Sequence, residues 1–244
     1  MQLDRRSLFR AAAAAPLLGL AAGPARAQTA PLDDFPMAAD PTVVAALRAA
    51  SAAYQAQSGV TVHILPTAPA LVVGQLTHQI QNDIVMVDGA VLAEIDRIGL
   101  FVEGTPRPRF QASYVLATAN KDKALSGPIA RADVTPGRPR DEAAILAALG
   151  LGGTPQLGAI DGLDAAGMAL SGQASAALIR TTDLAATPGL VKLRDVAPDI
   201  AAPDVFTATV TRSPRRPKPE GFVAYLASAS GIALMKTFGL EYLA

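Results

Sequence analysis

The chain has 244 residues, 50% of them hydrophobic, and its 21 basic and 21 acidic side chains give a formal net charge of zero. It has no basic stripe interleaved with aromatic residues, so the sequence predicts no nucleic-acid partner. It has no cysteine, which excludes disulfides, thiolate metal sites and cysteine nucleophiles and leaves core packing to hold the fold.

The first 27 residues have the pattern of an export signal. They combine a positively charged start, an apolar run over 11–22 and an Ala-Arg-Ala sequence before Gln28. Arg5 and Arg6, followed by Ser-Leu-Phe-Arg, resemble the twin-arginine form of such a signal. The apolar run is too short for a permanent membrane anchor. We therefore predict a twin-arginine-like export signal over 1–27 and a periplasmic location, with an ordinary N-terminal helix as the alternative.

After this segment, short apolar runs alternate with helical patterns, which is typical of an α/β protein with mainly parallel sheets. Asp40-Pro41 predicts a helix start, and Gly59 predicts the end of that helix. The predicted elements up to residue 118 are strands at 35–39, 60–65, 84–87 and 114–118 and helices at 41–58, 71–80 and 90–98.

The second half has a less regular beginning. Residues 119–139 are rich in Gly, Pro and charged residues, and no order is assigned to them. Asp141 is the predicted cap of the helix that follows. The later predicted elements are helices at 142–149, 163–170, 221–226 and 232–238 and strands at 174–179, 190–193 and 205–210.

Several short phrases spread over most of the chain carry a family resemblance. They are AADPT at 38–42, YQAQSGVTV at 54–62, DIVM at 83–86, IGL at 98–100, LSGQA at 170–174, DLA at 183–185, FVAYL at 222–226 and KTFGL at 236–240. In this order and spacing they resemble the periplasmic molybdate-binding proteins of ABC importers, which have the type II periplasmic binding fold.

The resemblance implies two lobes, each a mainly parallel sheet flanked by helices, that close on a ligand. Lobe 1 would comprise 28–115 plus 205–244, and lobe 2 would comprise 116–204. The implied function is that of a solute-binding protein, a monomer without cofactor or enzymatic activity that delivers a small solute to a membrane ABC permease. Ligands of α/β folds bind beyond the carboxyl ends of strands, where helix N-termini favour oxyanions.

The positions that correspond to the family's ligand site are Asp40, Thr67, Ala68, Ile179, Arg180 and Phe206. Asp40 stands where the family has a serine, and a carboxylate about 4 Å from a dianion would cost several kcal/mol at an effective dielectric constant of about 20. The alternative is that Asp40 only caps a helix. Thr67 retains a hydroxyl, whereas Ala68 offers no side-chain donor.

Arg180 and Phe206 also depart from the family pattern. Phe206 keeps the ring of a family tyrosine but lacks its hydroxyl. Arg180 replaces a tyrosine-like position and could bind a carboxylate or oxyanion bidentately, or pair with Asp40 or Asp183. The sequence therefore predicts a degenerate oxyanion site, whose solute is a different small anion or a carboxylate.

Other chemistry is not supported by the sequence. His63 lies on a predicted strand and His78 on a predicted helix, where each is expected to be a surface or hydrogen-bonded histidine, and no metal is predicted. The chain lacks the strained Gly-x-Ser-x-Gly turn of a serine hydrolase. The glycine-rich segment at 150–153 ends a helix, so it is not a dinucleotide-binding loop.

Two further functions remain open as alternatives. One is a ligand-sensing or protein-binding homologue that takes no part in transport. The other is an exported enzyme on the same fold, which would require Asp40, Thr67 and Arg180 to converge around a strongly perturbed acid.

Overall fold

The computed structural model describes residues 34–80, 82–123, 125–132, 141–212 and 219–244. The predicted export signal over 1–27 lies outside these residues. In the part of the chain that is described, no helix combines the length and the apolar character needed to cross a bilayer.

Strands and helices alternate along the chain, as its hydrophobic pattern predicts. The strands are β1 (Phe35–Ala39), β2 (Val62–Pro66), β3 (Ile84–Asp88), β4 (Arg109–Ala112), β5 (Tyr114–Thr118), β6 (Ile129–Ala132), β7 (Gln156–Ala159), β8 (Ala176–Arg180), β9 (Val191–Asp195), β10 (Asp204–Val210) and β11 (Glu241–Leu243). The helices are α1 (Val44–Ser58), α2 (Pro69–Thr77), α3 (Gly89–Arg97), α4 (Glu142–Ala148), α5 (Gly162–Leu170), α6 (Thr181–Ala186), α7 (Glu220–Leu226) and α8 (Ala229–Thr237).

The strands form two separate sheets. The first has the order β11-β4-β10-β3-β1-β2, and the second has the order β7-β6-β8-β5-β9. The first sheet buries Met37, Phe110, Phe206 and Phe222 in one core with α1, α7 and α8. The second sheet has smaller, alanine-rich cores on its two faces, built around residues such as Val115 and Leu116.

The predicted α/β fold with two lobes is confirmed, but each sheet is mixed instead of mainly parallel. β1 is parallel to β2 and β3, and β6 is parallel to β7 and β8. β10 is antiparallel to β3 and β4, and β5 is antiparallel to β8 and β9. The reason is the chain path, because β5 and β10 are the strands by which the chain enters a sheet from the other one.

The two connections between the sheets differ in length. Ser113 alone separates β4 of the first sheet from β5 of the second, whereas residues 196–203 separate β9 from β10 on the way back. The carbonyl of Ser113 accepts a hydrogen bond of 2.9 Å from the backbone N–H of Thr181. The first crossing is therefore nearly continuous strand, and the second is a loop.

Candidate functional site

A cavity of about 270 Å³ lies between residues of the first sheet and residues of the second. Its walls come from segments that follow β1, β2, β7 and β8, which are parallel to a neighbouring strand, so it occupies the place where α/β folds bind ligands. The lining residues are Asp40, Pro41, Thr42, Ala68 and Pro69 on one side and Asp161, Gly162, Leu163, Arg180 and Asp183 on the other.

Asp40 caps the short helical turn that leads into α1. Its Oδ1 accepts a hydrogen bond of 2.9 Å from the backbone N–H of Thr42, and Pro41 occupies the first helical position. The side chain is buried, at 3% exposure. A capping carboxylate satisfies the N–H groups that a bound anion would otherwise use. The cap predicted from the Asp-Pro sequence is therefore present, and it faces the cavity.

Asp161 repeats this arrangement on the opposite wall. Its Oδ1 accepts a hydrogen bond of 2.9 Å from the N–H of Asp164, at the start of α5. Asp164 in turn accepts a hydrogen bond of 2.9 Å from the N–H of Ile160. We did not identify Asp161 as a site residue from the sequence. The signal that could have found it is an aspartate before a helical pattern, followed three residues later by a second acid.

Another helix that begins at the cavity, α2, has no side-chain cap. Ala68 precedes it, and Pro69 is its first residue. Thr67 lies just before this helix and is buried, and its Oγ1 donates to the carbonyl of Leu65 at 3.1 Å. Its amide donates to the carbonyl of Ala39 at 2.8 Å. Ala68 therefore lines the cavity, whereas Thr67 supports the backbone behind it.

Arg180 ends β8 and joins the two sheets through an ion pair. Its Nε donates to Oδ2 of Asp204, the first residue of β10, at 2.6 Å. Its Nη1 lies 4.0 Å from Oδ2 of Asp183, which also accepts the backbone N–H of Arg180 at 3.0 Å. The guanidinium also lies 5.4 Å from the ring centre of Tyr114. The pairing with Asp183 predicted as one alternative is present, with Asp204 as a closer, unpredicted partner.

The charges around Arg180 shift the pKa values of the buried groups. Burial alone would lower the pKa of Arg180, but Tyr114, Asp204 and Asp183 outweigh it, so the pKa is raised and the guanidinium stays charged. Burial raises the pKa of Asp183. Arg180 opposes that effect, while Asp161 and Asp204 add to it by like-charge repulsion.

Glu142, the first residue of α4, is a buried acid near Arg180 and Asp183. It is 6% exposed, and within the described part of the chain its Oε2 has no hydrogen-bond partner. Burial raises the pKa of Glu142 to about 7, although Arg180 acts to lower it. The sequence did not single out Glu142, because an acid in the first turn of a helix is ordinarily exposed.

Ile179 and Phe206 are not among the residues that line the cavity. Ile179 packs in the core of the second sheet with Val115, and Phe206 packs in the core of the first sheet. Successive residues of a strand face opposite sides, so Arg180 and Ile179 diverge at the end of β8. The structure thus brings Asp40, Ala68 and Arg180 together at the cavity and places Ile179 and Phe206 in cores.

The lining combines an excess of acid with apolar walls. Its charged members are three carboxylates and one guanidinium, and that guanidinium already pairs with Asp183 and Asp204. The uncharged walls include Pro41, Pro69 and Leu163. In the described ranges, no three His, Cys, Asp or Glu side chains are grouped so as to hold a metal ion.

Comparisons with known proteins agree on one class. A family model described as "Bacterial extracellular solute-binding protein" matches residues 36–241. The substrate-binding domain of a putative molybdenum ABC transporter from Clostridium difficile is similar with a TM-score of 0.74 and 16% identity, over 86% of this chain and 99% of that one. The periplasmic molybdate-binding protein of Azotobacter vinelandii is similar with a TM-score of 0.63 and 19% identity, over 86% and 99%.

The similarity extends to proteins with other ligands. Iron-bound HitA from Pseudomonas aeruginosa is similar with a TM-score of 0.60 and 17% identity, over 84% of this chain and 83% of that one. A comparison with curated protein sequences gave no match. At these identities the solved structures establish the fold, and the family model establishes the class.

Proposed function

The chain belongs to the bacterial extracellular solute-binding proteins, and from that membership we propose that it is the solute receptor of an ABC importer. The observation that carries this proposal is the cavity of about 270 Å³ lined by residues of both sheets. Ligand sites of α/β proteins are concave, largely apolar and placed at the carboxyl ends of strands, and the cavity has all three properties. The proposal is one of binding and not of catalysis.

Capture would occur by closure of lobe 1 (28–115 plus 205–244) on lobe 2 (116–204). A polar contact that joins the two lobes supports this proposal. It is a hydrogen bond of 2.6 Å from Oγ1 of Thr181 to the carbonyl of Gly239. A solute that contacts both walls would shift the population toward the arrangement in which this contact is made.

The proposed setting is the periplasm, reached by means of the twin-arginine-like signal over 1–27, with a membrane permease as the partner of a monomeric receptor. The match to an extracellular solute-binding family supports a location outside the cytoplasm. Delivery to a permease requires that the solute be released again, which reopening of the lobes would provide.

Molybdate is not the solute that we propose. The similar protein from Azotobacter vinelandii is a molybdate-binding protein, but here Asp40 and Asp161 cap two of the helix starts that face the cavity, and Asp183 accepts the backbone N–H of Arg180 at the start of α6. The sequence alone left a different small anion or a carboxylate, held by Arg180, as the solute. The pairing of Arg180 with Asp204 and Asp183 weighs against both of these.

A thermal-shift screen of the purified protein tests whether it binds a small solute. The panel should contain molybdate, tungstate, sulfate, phosphate, carboxylates, amino acids and amines. A solute at one hundred times its dissociation constant adds about 2.7 kcal/mol to the stability of the folded state, which visibly raises the melting temperature. If no class of compound raises it, the receptor function is wrong.

A variant that fills the cavity tests whether the solute binds there. Ala68→Trp places a large ring in the cavity and should abolish the shift caused by any active solute. Ala90→Trp is the matched control, because Ala90 is an exposed residue in the first turn of α3 and does not line the cavity. Equal binding by wild type and Ala68→Trp would show that the solute does not bind in this cavity.

Uptake of the active solute separates transport from sensing. Cells that lack the gene should lose high-affinity uptake, and the wild-type gene should restore it while the gene for Ala68→Trp should not. Normal uptake by cells without the gene would favour the ligand-sensing or protein-binding alternative.

A further inference from the structure

We propose that the cavity selects a small organic cation, an ammonium group on an apolar body, and rejects oxyanions. This inference rests on the proposed receptor function and concerns the chemical class of its solute.

The groups that would hold an anion are already occupied by side chains of this chain. The helix start after β1 is capped by Asp40, and the start of α5 is capped by Asp161, each through a 2.9 Å hydrogen bond to a backbone N–H. Helix N-termini attract anions because of their unsatisfied N–H groups and positive dipole ends. A built-in carboxylate satisfies the first property and offsets the second, so these two sites are closed to an external anion.

The guanidinium of Arg180 is occupied in the same way. Its Nε is bonded to Asp204 at 2.6 Å, and Asp183 lies 4.0 Å from its Nη1. Glu142 adds a further carboxyl close enough to Arg180 and Asp183 for both to influence its protonation. One positive charge therefore faces several acids, and an incoming carboxylate would have to compete with partners that are already desolvated and in place.

The remaining charge in the lining is negative. Asp161 is exposed, and its charge already disfavours ionisation of the neighbouring Asp183. Like charges that repel on one wall of a cavity are stabilised by a cation placed beside them. Each of the three lining carboxylates, Asp40 on one wall and Asp161 and Asp183 on the other, is an acceptor for the N–H groups of a cation.

The uncharged walls of the cavity determine which body the ammonium group can be attached to. Pro41, Ala68 and Pro69 line one side of the cavity, and Leu163, 52% exposed, lines the other. These side chains offer no strong donor or acceptor, so they favour an aliphatic or alicyclic body.

Calorimetric titration with matched probes tests the charge of the solute. The probes are n-butylammonium, cyclohexylammonium, 1-butanol and butanoate at low ionic strength, with molybdate for comparison. We expect the two ammonium compounds to bind at least tenfold more tightly than 1-butanol and to weaken as salt is added, with no binding of butanoate or molybdate. Tighter binding of butanoate or molybdate, or equal binding of 1-butanol, would overturn the cation inference and leave the receptor function intact.

Isosteric variants test the residues. Asp40→Asn and Asp161→Asn keep a capping oxygen but remove the charge, and each should weaken ammonium binding at least tenfold. Asp88→Asn is the matched control, because Asp88 caps α3 through Ala90 and Val91 and does not line the cavity. Unchanged affinity in both cavity variants would overturn the inference.

Failure of the inference and failure of the receptor function are distinguishable. If no amine of either panel binds but another compound of the wider thermal-shift panel does, only the class of solute is wrong. If no compound of either panel binds, the receptor function itself fails.

Discussion

Arg180 shows how one residue can belong to the site and to the fold at the same time. It lines the cavity, yet its guanidinium forms a buried ion pair with Asp204 in which the side chains are only 9% and 5% exposed. A buried ion pair contributes little against an apolar pair of the same shape, but loss of one partner leaves an uncompensated charge. Substitution at Arg180 therefore disturbs stability as well as binding.

Arg180→Ala should lower the free energy of unfolding by about 3–5 kcal/mol, because it leaves Asp204 and Asp183 buried without their cation. Asp204→Asn in the same chain should restore part of that loss, since one of the two carboxylates then becomes neutral. Urea unfolding of the wild type, both single variants and the double variant gives the coupling between the residues. Additive effects would show that the ion pair does not stabilise the fold.

Glu142 makes stability depend on pH near neutrality. Its pKa is raised from 4.5 to about 7 in the folded protein, so the folded state holds a proton that the unfolded state releases. The stabilisation is complete below the unfolded pKa and is lost as pH rises through about 7, a loss of about 3 kcal/mol in all.

Glu142→Gln should abolish this loss between about pH 5 and pH 8 and should be more stable than wild type at the upper limit. Urea unfolding across that range measures it. Glu220→Gln is the control, since Glu220 also begins a helix but is less buried. A wild type and a Glu142→Gln variant with parallel pH profiles would contradict the assignment.

At the level of residues, the family resemblance pointed to six positions. Asp40, Ala68 and Arg180 line the cavity, whereas Thr67, Ile179 and Phe206 do not. Asp161 was missed because the resemblance assigned no ligand position to the start of α5. The burial of Glu142 was missed for a different reason, since it depends on which residues of another element pack over a helix end.

At the level of elements, the sequence predicted those with strong local signals. Strands β1 and β5 have the predicted bounds, and α1 ends at Gly59, which has the left-handed φ of 75° expected at a helix end. The short elements β4, β6, β7, β11 and α6 were not predicted. β1 and β5 are nearly continuous apolar runs, whereas the missed segments interrupt theirs with polar residues or glycine and carry too little pattern to be recognised. Such short strands form because a neighbouring strand pairs with them.

The start of α5 is packed so closely that it tolerates no side chain. A Cβ added at Gly162 would overlap the carboxylate of Asp183, which the N–H of Arg180 holds in place. Gly167, in the same helix, has open space around it. These two glycines therefore separate the effect of packing from that of helix propensity.

Gly162→Ala should destabilise the protein by about 1–3 kcal/mol, because Asp183 must move. Gly167→Ala should stabilise it by about 0.5–1 kcal/mol through reduced backbone entropy in the unfolded chain. Chemical denaturation of both variants measures the difference. Stabilisation by both substitutions would mean that the carboxylate is free to move aside.

At the level of the whole molecule, the two lobes touch at Gly239. This residue has a left-handed φ of 76°, its carbonyl accepts from Thr181, and a Cβ there would overlap the backbone of Thr181. Gly59 has nearly the same φ but no atom within 4 Å of the corresponding Cβ position. A side chain would therefore be strained at either position, but only at Gly239 would it also clash with the other lobe.

Gly59→Ala should cost about 1–2 kcal/mol of stability from backbone strain alone. Gly239→Ala should cost more and should also weaken solute binding about tenfold, because it opposes the closed arrangement. Unfolding and titration with the active solute measure the two effects. Equal affinity of the two variants would show that closure does not involve this contact.

Ser113 is the only residue between β4 and β5, so it is the natural hinge for the proposed closure of the lobes. In the proposed closure, a small rotation about the two backbone dihedrals of this residue would be magnified with distance, so the walls of the cavity would move much farther than Ser113 itself. The return over 196–203 is the longer of the two connections. The stiffness of the backbone at Ser113 would then set the rate at which the lobes open and close, independently of the affinity of the closed form for its solute.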